Sequence, residues 1–378
     1  MPGRVLRALA RPTIDHRGPE FQRLAKGVLE GMKEIFGTEH PVFIHPSSAT
    51  GAWEAALANT LSPGGAVLAF DQGFFAGKWV SVARRFGLDV RVEPWDPRRG
   101  VAAGAVEDIL RADAKAGAEA RIRAVLIVHN ETSTGVTTDV RAIGEAMRAS
   151  GHPALLMVDA VSSLAAMELR HDAWGIDVTV SGSQKGLMLP PGLAFVAAGP
   201  RALAARASAR LPRAYWDWSD QLDFNARGFF PYTPATNLLF GLAEALEMLR
   251  EEGLAHVFAR HRRFAEATRA AVRAWGLETV AVRPEEASSA VTAVLTPEGH
   301  DADALRSVAL ERFEMSLGTG LGPWKGRVFR IGHLGHFNEP MLMGTLSCIE
   351  MALAVAGVPH RRGGVRAAMD HLERTLEA

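Results

Sequence analysis

Five short apolar stretches alternate with segments of helical spacing through the first half of the chain: AVLAF (66–70), RAVLIVH (123–129), ALLMV (154–158), DVTVSG (177–182) and LAFVAA (193–198). Apolar runs of that length read as strands buried on both faces. Helices fit between them from Gly51 (GAWEAALANTL), from Gly77 (GKWVSVARRFG) and from Thr137 (TTDVRAIGEAMRAS). Strands separated by helices predict an α/β fold with a mostly parallel sheet covered on both faces. The run Ser47-Ser48-Ala49-Thr50 before the first of these helices offers an N-cap and residues small enough for a tight strand-to-helix turn. Ahead of it, EFQRLAKGVLEG has helical apolar spacing with charges on its other face.

A length of 378 residues suggests two domains at roughly 150 residues each. The pattern changes near residue 256. A long Arg-rich amphipathic helix (HVFARHRRFAEATRAAVRAWG) is followed by strands in SAVTAVLTP and RVFRIGHLG and by the helix EPMLMGTLSCIEMALAVAG. The expected division is an N-terminal segment 1–15, a large domain 16–255 and a smaller α+β domain 256–378. ADAKAGAEA (112–120) reads as an exposed connection. With 48% hydrophobic and 22% charged residues, disorder is excluded as the main state. Forty-two basic residues against 42 acidic ones argue against nucleic-acid or polybasic membrane partners. No apolar run approaches the roughly 18–20 residues that span a bilayer. The basic start, MPGRVLRALARPT, lacks the apolar centre of a signal peptide, so a soluble, cytoplasmic protein is expected. Cys348 is the single cysteine, which excludes an intrachain disulfide, and its apolar setting predicts a buried, inert thiol.

Six lysines occur. Lys26 and Lys33 lie on a polar helix face, Lys78 begins a helix, Lys115 falls in the exposed connection and Lys325 in a glycine-rich loop. Lys185 differs: it follows the strand DVTVSG and precedes the apolar GLMLPPGLAFV, which places it over the ligand edge of the sheet. Desolvation there lowers an amine pKa and makes it a candidate Schiff-base nucleophile, with a structural or anion-binding lysine as the alternative. Asp159 ends the strand ALLMV, where an unpaired carboxylate would be costly to bury; it could equally cap the following segment. About 26 residues, near one βαβ unit, separate the two, so both can reach one edge. A buried acid and a buried amine at one crevice fit pyridoxal 5'-phosphate, whose ring nitrogen an acid keeps protonated.

VDAVSSL followed by DVTVSGSQKGLMLPPGL resembles the class V aminotransferases of pyridoxal-phosphate fold type I, on the serine–glyoxylate and alanine–glyoxylate branch. HPSSATGAWEAALANTLSPG, VHNETSTGVTTDV, FFPYTPATN and VFRIGHLG extend the resemblance along almost the whole chain. It implies that fold, with a large domain around a seven-stranded type of sheet and a smaller C-terminal α+β domain. It implies that Lys185 bonds to the cofactor, Asp159 pairs with the pyridine nitrogen and Gln184 reaches the phosphate. Ser48-Ala49-Thr50 resembles the phosphate-cradling turn; the family commonly has glycine where Ala49 stands. Helix N-terminal amides suit a dianion on physical grounds alone. Phe75 matches the aromatic stacked on the ring, or is a core residue; Val161 presses on the opposite face, and Thr132 lies near the 3-oxygen. Tyr232 and Thr233 resemble a pair that reach the phosphate in the neighbouring subunit, which implies a homodimer with shared active sites, as would a tetramer. Related enzymes place that tyrosine two positions earlier, where this chain has Phe230. Arg330 matches the clamp for the substrate α-carboxylate, the alternative being a solvated strand-face arginine.

The resemblance further implies amino-acid and 2-oxo-acid substrates. Glyoxylate is the expected acceptor and L-serine the expected donor, with L-aspartate, L-alanine or a cofactor-binding protein without turnover as alternatives. No second arginine stands out for a distal carboxylate. A desulfurase would need a catalytic cysteine, and Cys348 lies far from Lys185. Relatives carry a Gly/Pro-rich leader, part of which lies against the substrate carboxylate. Its absence here implies a start further upstream or a differently built amino end of the site. Other signals are decoys. Gly318-Thr319-Gly320-Leu321-Gly322 is followed by Pro and lacks a dinucleotide-loop context, no G-x-S-x-G elbow exists, and His333 and His336 read as surface or loop residues without a third metal ligand.

Overall fold

Residues 1–115 and 121–376 are described by the computed structural model. Helices α1 (Gly3–Leu9) and α2 (Pro19–Phe36) lead into strand β1 (Val42–Ser47), which passes directly into α3 (Ala49–Thr60). There follow β2 (Ala66–Phe70), α4 (Phe74–Arg85), β3 (Asp89–Glu93), α5 (Ala103–Asp113), β4 (Ile122–Val128) and the small hairpin of β5 (Asn130–Glu131) and β6 (Val136–Thr137). Next come α6 (Val140–Ser150), β7 (Leu155–Asp159), β8 (Val178–Gly182) and β9 (Gly192–Ala198), then α7 (Pro200–Ala205), α8 (Trp218–Ala226), α9 (Thr236–Glu252) and α10 (Leu254–Trp275). The C-terminal part holds β10 (Glu278–Thr279), β11 (Val291–Leu295), α11 (Ala302–Phe313), β12 (Gly318–Thr319), β13 (Val328–Gly332), α12 (Glu339–Val355) and α13 (Gly364–Arg374).

Seven strands form one sheet in the order β1-β9-β8-β7-β4-β2-β3. Neighbours from β8 to β3 pair in parallel, and β9 runs against both β8 and β1. Period-two alternation sorts the side chains between faces. Ala124 and Leu126 of β4 and Leu155 and Met157 of β7 join Trp53, Trp79 and Trp218 from α3, α4 and α8. Their neighbours Val125, Ile127, Leu156 and Val158 meet α5 and α6 on the other face. At the β1 end that second face is covered by α2 and α9, with Val5 of α1 in the same core. A four-stranded antiparallel sheet, β10-β11-β13-β12, packs with α10 to α13 around Phe264, Trp275, Phe329 and Ile331. The α/β architecture with a mostly parallel sheet is therefore as expected.

Several local expectations are corrected. Strand β1 went unread because VFIHPS carries His45 and Pro46, and edge strand β3, DVRVE, because it is half-exposed and charged at alternate positions. Helix α4 begins at Phe74 rather than Gly77, held by acceptors outside the helix. Helix α6 begins at Val140, because Asp139 caps it by accepting from the Ala142 amide at 3.0 Å. Of the connection expected over 112–120, residues up to Asp113 belong to α5, and 116–120 lie outside the described residues. Cys348 is half-buried on α12, its helix face only partly covered. His333 is fully buried, its ring nitrogens facing Thr292 Oγ1 at 2.9 Å and the Ser289 carbonyl at 3.1 Å; His336 is exposed. Among the described residues there is no cluster that could hold a metal, and no helix long and apolar enough to cross a membrane.

Candidate active site

The C-terminal ends of β1, β2, β4, β7 and β8 share one edge of the sheet. Asp159 is the last residue of β7, and Lys185 lies in the short return loop from β8 to β9. Asp159 is 4% exposed; its Oδ1 accepts from the Val161 amide at 2.8 Å and its Oδ2 from Trp53 Nε1 at 3.0 Å. It therefore does cap the segment after it, as the simpler reading required, and still sits at the edge facing Lys185. Burial pushes its pKa up to about 7; the Val161 bond opposes this, nearby Glu131 adds to it, and Trp53 and the Lys185 charge oppose it. Burial also lowers the Lys185 amine; Arg330 adds to that and Asp159 works against it. Lys185 is thus within electrostatic reach of both Asp159 and Arg330.

The Lys185 loop is tightly held. The Met188 amide donates to the Lys185 carbonyl at 3.0 Å, and Leu189 to that of Ser183 at 3.2 Å. A Cβ on Gly186 would collide with the Leu164 carbonyl. Met188 and Ala165, on either side of that contact, both occupy the left-handed region, at φ 62 and 58°. Non-glycine residues held there mark a backbone over-determined by its surroundings.

Ser48 stands at the N-cap position of α3, but its side chain makes no cap, contrary to the expectation for that hydroxyl. The Gly51 amide donates to the Ser48 carbonyl at 2.9 Å, and the Ala49 and Thr50 amides are left for an anion. Ala49 is buried between exposed Ser48 and Thr50. Gln184 and Ala49 meet over Gly182, where a Cβ would lie 2.9 Å from Gln184 Oε1 and 3.4 Å from the Ala49 methyl. Phe75 sits half-buried in the first turn of α4. Val161 is also half-buried. Thr132 Oγ1 donates to Ser162 Oγ at 2.8 Å, and Ser162 in turn donates to the Asn130 carbonyl at 2.8 Å, tying the β5–β6 hairpin to the turn after Asp159. Arg330, on β13, donates from Nε to the Thr319 carbonyl at 2.8 Å and from Nη1 to that of Thr132 at 2.9 Å. Those two bonds leave part of its five-donor fork for a ligand.

These residues fit pyridoxal 5'-phosphate: an uncapped helix N-terminus for a dianion, a buried acid for a ring nitrogen, and an amine held toward its neutral form. Tyr232 and Thr233 lie elsewhere on the chain, exposed beside a cleft of about 720 Å³ with Phe224, Phe229 and Phe230. The Tyr232 ring stacks on Tyr215 at 4.9 Å, and Phe230 packs edge-on against Phe21. Sequence reasoning missed Trp53, Ser162 and Glu131. The one available signal was Trp53, four residues after Ala49 and so on the same face of α3.

The family model for class V aminotransferases matches residues 5–321. An L-aspartate–glyoxylate aminotransferase of Paracoccus denitrificans is 48% identical, the match covering all of this chain and 95% of that one. A serine–glyoxylate aminotransferase of Methylorubrum extorquens is 46% identical over 98% of this chain and 93% of that one. The crystal structure of pyridoxamine–pyruvate aminotransferase from Mesorhizobium loti superposes with a TM-score of 0.92 at 31% identity, covering 99% of this chain and 94% of that one. With this fold, and with an acid, an amine and a helix N-terminus at one sheet edge, the chain belongs to the class V aminotransferases, enzymes that depend on pyridoxal phosphate.

Proposed function

We propose that the protein moves the amino group of L-serine to glyoxylate, giving hydroxypyruvate and glycine in two half-reactions of a ping-pong cycle. The observation that carries this reading is the convergence of Asp159, Lys185 and Arg330, in which burial holds the lysine toward its neutral, nucleophilic form. Bound pyridoxal phosphate supplies a covalent anchor for the amino group and an electron sink. With the cofactor bound, Lys185 would hold it, and its amine, once freed, would take the proton from the substrate Cα. Asp159 would keep a proton on the ring nitrogen, Arg330 would hold the substrate α-carboxylate, Phe75 and Val161 would hold the ring, and Thr132 would contact its hydroxyl. Ser48, Ala49, Thr50 and Gln184 cradle the phosphate. Tyr232 and Thr233 reach across to the phosphate of a second subunit, making the working form a homodimer, placed in the cytoplasm. In this reading residues 1–15 are an N-terminal segment, 16–255 the large domain and 256–378 the small one.

L-Aspartate is the second donor to consider, because the aspartate–glyoxylate relative is as similar as the serine–glyoxylate ones. A panel of serine, aspartate and alanine against glyoxylate, followed through cofactor absorbance, tests both. Serine bleaching the band near 400–430 nm fastest supports the first reading, aspartate the second, and no bleaching with any donor removes both.

A further inference from the structure

Glu131 is 1% exposed, and four donors converge on it. Oε1 accepts from the Ser133 amide at 3.0 Å and from its hydroxyl at 2.7 Å. Oε2 accepts from the amides of Phe75 at 3.0 Å and Ala76 at 3.1 Å, both in the first turn of α4. That helix has no cap of its own. Gly73 precedes it at φ 149°, and a Cβ there would lie 2.7 Å from Glu131 Cγ. Ser133 Oγ takes a third amide, that of Phe74, at 3.2 Å. A carboxylate and a hydroxyl from the β5–β6 hairpin thus replace the local cap, about 55 residues away in sequence.

The residue between them is Thr132, whose carbonyl receives the Arg330 guanidinium. One buried side chain therefore joins the backbone of Phe75 to the carbonyl that orients Arg330. Only an acceptor with lone pairs on both oxygens satisfies all four donors; an amide would turn its NH₂ toward one pair of them. Burial pushes the Glu131 pKa up while its bonds from Ser133, Ala76 and Phe75 oppose this; in its charged form the carboxylate lies at the positive end of α4 and favours the buried Arg330 guanidinium.

We propose that Glu131 is a positioning residue of the transaminase, its carboxylate locking the first turn of α4, and hence Phe75, to the hairpin carbonyl that aims Arg330. The inference rests on the roles given above to Phe75 and Arg330. The test compares Glu131→Gln, Glu131→Asp and Asp139→Ala, the last removing an ordinary helix cap on α6. Readouts are thermal midpoint, pyridoxal phosphate affinity by absorbance titration, and kcat and KM for serine and for glyoxylate. Glu131→Gln should raise KM for both substrates about tenfold and weaken cofactor affinity severalfold, with kcat less affected. Glu131→Asp keeps the charge and should fall between Gln and wild type. Asp139→Ala should lose thermal stability alone. If Glu131→Gln lowers only the thermal midpoint, as Asp139→Ala does, Glu131 is a helix cap and the proposal is overturned. Should Glu131→Gln not fold, Ser133→Ala and Glu131→Asp decide in its place: raised KM supports the coupling and wild-type KM overturns it. Phe75→Ala and Arg330→Gln separate the layers. If they leave cofactor and substrate affinity intact, the roles beneath the inference fail and it falls with them. If they lose affinity while Glu131→Gln does not, the inference alone fails.

Discussion

The Asp159 carboxylate has two hydrogen bonds and no ion pair among the described residues, and its pKa is pushed up from 3.8 to about 7. Between those values the folded chain holds more protons than the unfolded one, so stability falls as pH rises through that window. Asp159→Asn removes this slope. In cofactor-free protein the variant should gain on wild type between pH 4 and 7, by at most on the order of 4 kcal/mol. Thermal melts at pH 5 and pH 8 check it, and an unchanged difference between the two proteins would speak against a buried, desolvated Asp159. With cofactor bound the same variant should keep pyridoxal phosphate but lose most of its rate, because a neutral amide cannot stabilise a protonated ring nitrogen. Arg330 governs a different quantity. Arg330→Gln leaves a substrate anion without its partner and should cost about 2–5 kcal/mol in kcat/KM, for serine and glyoxylate alike, at unchanged cofactor occupancy. Separate kinetics for each substrate test this; a defect confined to one of them would give Arg330 another role.

Elements place these side chains through contacts that sequence spacing does not display. Gly186 shows this best: packed on the Leu164 carbonyl, it lets the Lys185 loop lie flat against the turn after β7. Gly186→Ala should destabilise the protein by about 1–3 kcal/mol and reduce the fraction of Lys185 that borohydride fixes to the cofactor. Urea midpoints and labelling measure the two effects, and wild-type values for both would mean the loop tolerates a methyl group. Asp159 stood out in the sequence because it ends an apolar strand, and Lys185 because it closely follows one and precedes an apolar segment. Trp53 and Glu131 did not. Trp53 meets Asp159 across 106 positions, and Glu131 serves a helix from another segment, so neither leaves a local signature. For the same reason α4 could not be seen to start at Phe74. The strands read correctly were those buried on both faces. Edge strand β3 was lost because a half-exposed strand needs no apolar run, and β1, although buried from Val42 to His45, because His45 and Pro46 break its apolar run.

Across the whole molecule, five histidines are held neutral by burial: His45, His129, His171 and His261 are pushed down to about 4, and His333 to about 3. The unfolded chain takes up protons on these rings near pH 6.5, and the folded chain does not until about pH 4, so stability is lost as pH falls through that window. Asp159 acts in the opposite sense, as do Glu131 and Asp177, whose carboxyls burial also pushes up, so three groups stand against five. The net loss is the difference between the two sets, so the thermal midpoint should drop by only a few degrees between pH 7 and pH 5. Calorimetry at the two pH values checks this, and a midpoint that rises at pH 5 would count against five rings held neutral by burial. The place of β1 has a consequence of another kind. Among the described residues its one partner in the large sheet is β9, and α1 is fastened to α9 by Arg4 on Glu244 at 2.6 Å and by Asn237 on the Leu9 and Arg11 carbonyls. A ribosome that has released fewer than about 200 residues therefore carries β1 as an unpaired edge, and the amino-terminal helix finds its seat only after α9 emerges. This early-made segment is among the last to be secured, and during that interval it is a part that a chaperone or a protease would meet.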